Sequence, residues 1–363
     1  MTRILSGHLI AFFAFDIGYE VSVDKLAALF AATPIQPLSR KRQTPAYLQF
    51  TKAPVTLSLV TNEQLLGTPG TLQATVFDFG ALSLAYRWPL PINSTPTLER
   101  LASLGGEIYG RNIETTARRE AVDLLEKINP VIHRPKLSPL TEDYYVYILE
   151  ELEPALTAQQ LLTQHRRELA QALSFESARL SDRQVVETMS QSVSYLESDL
   201  AVMDWNAAVI YDRDSEDTVR VLELLNVELL EARYIDATLD QNVTRYAGLL
   251  QKPAEWPIPL RTPYRRALQE LTEWRIESTL LSERVTNALK LIGDLYLSRI
   301  HSAAAVKLHL PEWEKIIAEK LQILDELYER VGDRVRTAQN QTLEVIIVTL
   351  ILLEILLAIF RHG

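Results

Sequence analysis

The stretch LQATVFDFGALSLAYRW, Leu72 to Trp88, decides the fold. It reads as two apolar strands turning near Asp78-Phe79-Gly80, where Asp and Gly suit a tight turn. Outward from this hairpin, HLIAFFAF (His8–Phe15) and VTLSLV (Val55–Val60) are further short apolar runs of strand length. DKLAALFAA (Asp24–Ala32) is a short helix between them. The stretch from Thr97 to Ile128 is mostly helical and weakened at Gly105-Gly106, and EDYYVYILEEL (Glu142–Leu152) alternates into a last strand. The order is roughly β-α-β-β-β-β-α-β. It predicts an α+β domain over residues 1–153, with one largely antiparallel sheet and helices on a face.

Pro154 opens a second, mainly helical region over 154–342. LTAQQLLTQHRRELAQAL (Leu156–Leu173) is a helix with Thr157 as its N-cap. A β-hairpin near 195–212 turns at Asp204-Trp205-Asn206. From Ser215 onward the chain is helical, interrupted by the four-proline loop KPAEWPIPLRTP (Lys252–Pro263), and Pro311 opens the last helix at its first position. That helix, the stalk 313–342, has the clearest period. Ile317, Leu321, Leu324, Tyr328, Val331, Val335, Ala338 and Thr342 alternate at spacings of four and three, a heptad seam. Such a seam packs either on the chain's own neighbours, a direction in which Ile316, Ile323 and Leu327 widen it, or on another copy. The second option makes the protein a homo-oligomer.

From Leu343 to Phe360 all residues but Glu344, Thr349 and Glu354 are apolar. At helical rise this segment is about 27 Å long, close to a thin hydrocarbon core. Its fourteen large apolar residues favour transfer by about −7 kcal/mol, against roughly +3 for a central carboxylate. The segment 343–360 is therefore expected to be a transmembrane anchor rather than a core helix. Arg330, Arg334 and Arg336 precede it and Arg361 follows, which is expected to keep the N-terminal bulk in the cytoplasm, or in the matrix of an organelle. At the N-terminus, Ser6, Gly7 and His8 interrupt the apolar stretch, and it runs into Asp16 and Glu20 without a small-residue cleavage site, so it is not a secretion signal. The expectation is a single-pass, tail-anchored protein of the inner (plasma) membrane. Extending the seam through the span gives Val345, Thr349, Leu352, Leu356 and Ile359, which leaves Glu354 on the opposite face. Either the phase breaks near Thr342, or Glu354 meets a separate helix, or it is protonated, or it snorkels outward over about 10 Å. Glu354 is thus a candidate intramembrane contact.

The C-terminal half resembles the family named "required for meiotic nuclear division", also known as domain of unknown function 155. The resemblance rests on NALKLIGDLYLSRIHSAAAVKLHLPEWEKIIAEKLQILDELYERV followed by LEVIIVTLILLEILL, with Leu343, Glu344 and Glu354 at the family's Leu-Glu and second Glu positions. TVFDFGALSLAYRW and DWNAAVIYD are similar to its hairpins. The resemblance implies a membrane-anchored α+β protein, bacterial in type because no presequence is present. Eukaryotic members support mitochondrial translation, and the family supplies no catalytic residues.

Composition narrows function by exclusion. The 363 residues carry a net charge of −10, which opposes nonspecific binding to nucleic acid or anionic lipid. The chain has no cysteine, which removes disulfides, thiolate zinc sites, iron–sulfur clusters and a cysteine nucleophile. Phosphate-loop, dinucleotide, nucleophile-elbow and zincin motifs do not occur. His301, His309 and Glu312 flank Pro311 without the spacing of a metal site. Basic pairs or triplets stand at Arg40-Lys41-Arg42, Arg118-Arg119, Arg166-Arg167 and Arg265-Arg266. They would matter for RNA only if they converged on one face. No catalytic residue, cofactor or metal ligand is assigned. The functional expectation is a non-enzymatic scaffold or tether at the cytoplasmic face. The alternatives are a membrane-bound enzyme with a dispersed site and a ribosome- or RNA-facing anchor.

Overall fold

The computed structural model describes residues 2–30, 53–65, 67–90, 97–251, 266, 268–270, 272 and 295–362. The chain divides into two units, Met1–Tyr234 with Arg284–Glu312, and Ile235–Glu283 with Trp313–Gly363. The four-proline loop, Arg40-Lys41-Arg42, Arg265 and most of the expected helix before Leu295 lie outside the described residues.

The first unit is built on β1 (Arg3–Asp16), whose run LIAFFAF is apolar at every position because both of its faces are buried. Leu9, Ala11, Phe13 and Phe15 point into one core, while Ile10, Phe12 and Ala14 are buried on the other side. Two short ladders, β2 (Glu20–Val21) with β8 (Ile132–His133) and β4 (Gln64–Leu65) with β5 (Thr68–Pro69), lie outside the main sheet. In the main sheet, β3 (Val55–Leu59), β6 (Thr71–Val76) and β7 (Ala81–Leu90) form one antiparallel wing against β1. On the other side, β9 (Glu142–Glu153) runs antiparallel to β1, with a bulge near Ser6. The opening hairpin is therefore the β6–β7 pair. Gly80 turns it at φ +96°, and a Cβ there would stand 1.7 Å from the Gly18 carbonyl oxygen, so only glycine fits.

The sheet does not end at β9. The hairpin β11 (Leu200–Met203) and β12 (Ala207–Tyr211), with β10 (Gln191–Val193) outside it, joins the sheet by a parallel pairing of β12 with β9. The result is one mixed eight-stranded sheet, β10-β11-β12-β9-β1-β7-β6-β3. The expected boundary at 153/154 cuts through this sheet, and Glu142–Glu153 is not its last strand. A parallel neighbour requires a long crossover, and local periodicity does not show where a crossover returns.

The crossover consists of α4 (Ala158–Gln164), α5 (Arg166–Leu173) and α6 (Asp182–Thr188), which follow α1 (Val23–Phe30), α2 (Leu101–Tyr109) and α3 (Ile113–Ile128) in the chain. Thr157 caps α4 in a reciprocal box: Gln160 N donates to its hydroxyl at 3.2 Å, and its own N–H donates to Gln160 Oε1 at 2.8 Å. The expected weak point at Gly105-Gly106 stays helical. The break falls at Asn112, which takes φ 54° between α2 and α3. Gly105 is there for close packing, since a Cβ would lie 2.0 Å from Tyr147 Oη. Leu104, Ile108, Ala117, Leu124, Leu169 and Leu173 cover the Leu9–Phe15 face of the sheet.

Two further helices complete the described chain, α7 (Glu216–Gln251) and α8 (Leu295–Lys307), before the terminal α9 (Leu310–His362). In the second unit, Ile235, Leu239 and Tyr246 of α7 and Ile317, Leu324 and Val331 of α9 are buried. Leu321, Tyr328 and Val335 are half-buried. The Lys320 ammonium donates to Asp236 at 2.5 Å and lies 2.7 Å from Asp240. The first part of the seam is thus covered by its own chain. The side chains of Ala338 and Thr342 lie outside the described residues.

Candidate functional site

Two places in the chain call for a functional account. The first is the end of α9. A helix continues unbroken through Leu343–Phe360 and satisfies its own backbone hydrogen bonds, as a span must. The helix is long and apolar enough to cross a membrane by length and composition, and no residue of its apolar window is buried. Leu343, Ile347, Ile351, Leu353 and Leu357 are all exposed. The Thr349 hydroxyl donates to the Val345 carbonyl at 2.7 Å, so this polar group is satisfied within the helix. Glu344 and Glu354 are the exposed carboxylates of the segment.

The second place was not foreseen from the sequence. From Val221 to Glu231, α7 is buried on every side. One stripe of it carries polar groups to the sheet face bearing Ile10, Phe12 and Ala14. Asn226 Nδ2 donates to the Glu142 carbonyl at 3.2 Å, and Arg233 donates to the Glu142 carboxylate. Glu223 approaches Thr75 and Ser83, whose hydroxyls oppose the upward push that burial gives its carboxyl. Neither Glu223 Oε1 nor Ser83 Oγ completes a hydrogen bond of standard geometry. Glu231 is fully buried, and neither of its carboxylate oxygens has a hydrogen-bond partner. Burial and the Asp16 charge push Glu231 far above the ordinary carboxylate range. Asp16, at the end of β1, is raised to about 7 by burial against the pull of Lys136. Glu142 is raised to about 7 by burial against the pull of Arg233. The signal available in the sequence was LELLNVELLEAR, Leu222 to Arg233. Its apolar residues leave no continuous polar face, so its polar residues cannot all reach water.

The other sequence candidates are dispersed. His301 lies 3.6 Å from Glu228, whereas His309 packs beside Trp205 with the rings tilted and their centroids 5.5 Å apart, and is 3.8 Å from Glu312. Among the described residues no three His, Asp or Glu converge as a metal site requires. Arg118 donates to Ser138 O at 2.9 Å, Pro139 O at 2.7 Å and the Thr141 hydroxyl, and stacks over Phe15. Arg167 binds Leu180 O and Asp182. Both arginines are spent on fixing loops. Asp204-Trp205-Asn206 forms the β11–β12 turn, where Asp204 also receives Lys307 Nζ at 3.0 Å.

Comparison with known proteins corrects the family reading. The model described as "Uncharacterized protein MJ0711, N-terminal domain" matches residues 6–218, more than half of the chain. A similar relative is "Uncharacterized protein MJ0711" of Methanocaldococcus jannaschii, 22% identical over 244 residues that cover 67% of this chain and 71% of the relative. No solved structure matches. The chain belongs to the MJ0711 N-terminal domain family, not to the "required for meiotic nuclear division" family. The earlier resemblance rested mainly on a long amphipathic helix leading into an apolar stretch. Any stalk that precedes a span produces that pattern, whereas the family match lies on the sheet-bearing part.

Proposed function

We propose that this member of the MJ0711 N-terminal domain family is a single-pass membrane-anchored protein. It holds an α+β body at the cytoplasmic face and works there as a scaffold or tether, as an oligomer and without catalysis. The observation that carries this reading is the apolar end of α9, exposed along its whole window. An exposed apolar surface of this length is costly in water, and hydrocarbon removes that cost. Arg330 and Arg336, with Arg334, precede the apolar segment and support the cytoplasmic orientation. Within the bilayer the reading makes Glu354 the contact to a neighbouring helix, because a carboxylate facing lipid is unfavourable.

The absence of cysteine makes the test clean. Single cysteines at Val60, which is 93% exposed, and at Gly363 would be probed in intact cells with a membrane-impermeant maleimide. The reading requires Gly363→Cys to react from outside and Val60→Cys only after permeabilisation. Reaction of Val60→Cys in intact cells would reverse the orientation. For the assembly claim, a monomer in mild detergent by mass photometry would count against oligomerisation, and unchanged assembly in Glu354→Leu would remove the proposed contact.

A further inference from the structure

The first unit carries apolar surface around α8 that the described chain leaves uncovered. α8 packs over β10 and β11, the outermost strands of one wing of the sheet. Its first turn is fixed by Tyr296, whose ring lies 6.2 Å from that of Tyr195. Its last turn is fixed by Lys307, whose Nζ donates to the Glu187 carbonyl at 2.7 Å and lies 3.0 Å from the Asp204 carboxylate. Val306 and Leu295 on α8, and Val186, Tyr195, Leu196 and Trp205 beside these two anchor points, are each between 45% and 68% exposed. Exposed apolar side chains gathered in this way mark a contact surface. We propose that the outward face of α8 is a two-fold contact between two copies of this chain, with the two α8 helices crossing antiparallel near Ser302. This rests on the assembly part of the proposed function and names where the copies meet.

The occupant follows from the order and charge of that face. Its exposed stripe is Leu295, Arg299, Ser302 and Val306, at spacings of four, three and four, which read the same in both directions. A two-fold axis between Ile300 and His301 therefore sets Leu295 on the partner's Val306 and Arg299 on the partner's Ser302, the self-matching pattern of an isologous contact. The Ser302 hydroxyl already donates to the Ser298 carbonyl at 2.9 Å, so covering it strands no donor. Arg299 has no ion-pair partner among the described residues. The Val306 end is acidic: the Glu187 side chain is 75% exposed and that of Glu312 64%, while Lys307 is 10% exposed and spent on Glu187 and Asp204. Antiparallel helices bring each Arg299 within one turn of the other copy's acidic end, whereas parallel helices would set Arg299 on Arg299 and Glu187 on Glu187. The same acidic end disfavours an anionic lipid surface as the occupant.

Because the chain has no cysteine, Ser302→Cys places a single thiol at the crossing. Treated with a short bis-maleimide as the full chain in mild detergent, Ser302→Cys is expected to run as a covalent dimer on a denaturing gel. Val60→Cys, which follows β3 at the opposite edge of the sheet, is expected to stay a monomer. By chromatography with light scattering, Val306→Glu is expected to raise the dimer dissociation constant at least about tenfold. Arg299→Glu is expected to raise it about threefold, and Glu187→Arg added to Arg299→Glu to restore it. All of these positions are exposed, so the fold tolerates the changes. An oligomer that survives Val306→Glu and leaves Ser302→Cys without a cross-link would overturn this contact while leaving assembly through another surface. A monomeric wild type would overturn both. A charge swap that fails to restore the dimer would overturn the antiparallel register. A fluorophore on Ser302→Cys that shifts to the blue when the protein enters lipid vesicles, with no dimer formed, would give the face to lipid and overturn the inference.

Discussion

Replacing Leu350 and Leu353 together by arginine is expected to release the protein from membranes. The two residues are three apart on one side of α9, near the middle of the apolar segment, and both are more than half exposed. Because none of the apolar window is buried, insertion breaks no packing, and transfer energies apply without an offset for lost contacts. On that basis the wild-type segment favours the bilayer by about 4 kcal/mol, its apolar gain less the cost of Glu354. Each Leu→Arg change forfeits about 0.5 kcal/mol and adds roughly 3, so it costs about 3.5 kcal/mol. One substitution leaves the balance near zero, and two reverse it to about +3 kcal/mol. Glu354→Leu moves it the other way by about 3.5 kcal/mol. Flotation of expressed protein through a density gradient reads the outcome. The single variants should split between fractions, the double variant should stay at the bottom, and Glu354→Leu should float completely. A double variant that floats as the wild type does would refute the reasoning, because the apolar segment would then not be what holds the protein to lipid.

Gly80→Ala should cost roughly 3 kcal/mol through the left-handed turn and the clash with Gly18, visible as a fall in Tm, and an unchanged Tm would discredit the turn. Thr157→Ala should lose about 1 kcal/mol with the capping box of α4, measured by chemical denaturation. Asp16 and Glu142 both hold their protons to about 7, so the stability they contribute is complete below about pH 4 and is lost as pH rises through 7. The Tm of the full chain in detergent should therefore fall between pH 5 and pH 8, and a flat or rising profile would contradict the assignment. Arg233→Gln removes the partner of Glu142 and should cost about 2 kcal/mol at pH 8 but little at pH 4.5, where that carboxyl is protonated. Equal losses at the two pH values would show that Arg233 acts by packing alone.

What could be read from the sequence followed the range of the interactions. β6, β7, β11 and β12 were legible because each hairpin is local: two apolar runs and a turn between them carry the whole instruction. The parallel pairing of β12 with β9 was not, since it joins residues about sixty apart through a crossover whose destination no local pattern states. The seam of α9 shows the same limit. Spacings of four and three mark a face to be buried, but burial of Ile317, Leu324 and Val331 by the same chain satisfies that pattern as well as a partner would. The carboxyl cluster was the least visible. Asp16, Glu142 and Glu231 stand on three elements, and each read alone as a polar residue at the end of a strand or on a helix. Only the tertiary arrangement makes Glu231 a buried carboxyl without a hydrogen-bond partner. The terminal helix lay at the other extreme, because its apolar run needs no partner in the chain to declare itself.

The membrane assignment is tested most directly by alkaline carbonate extraction of native membranes. The full chain would be compared with one ending at Thr342, which keeps the stalk and lacks the apolar segment. The full chain is expected to remain in the pellet with integral proteins and the shortened chain to be released. Release of the full chain alongside the shortened one would contradict the anchor and, with it, the proposed function.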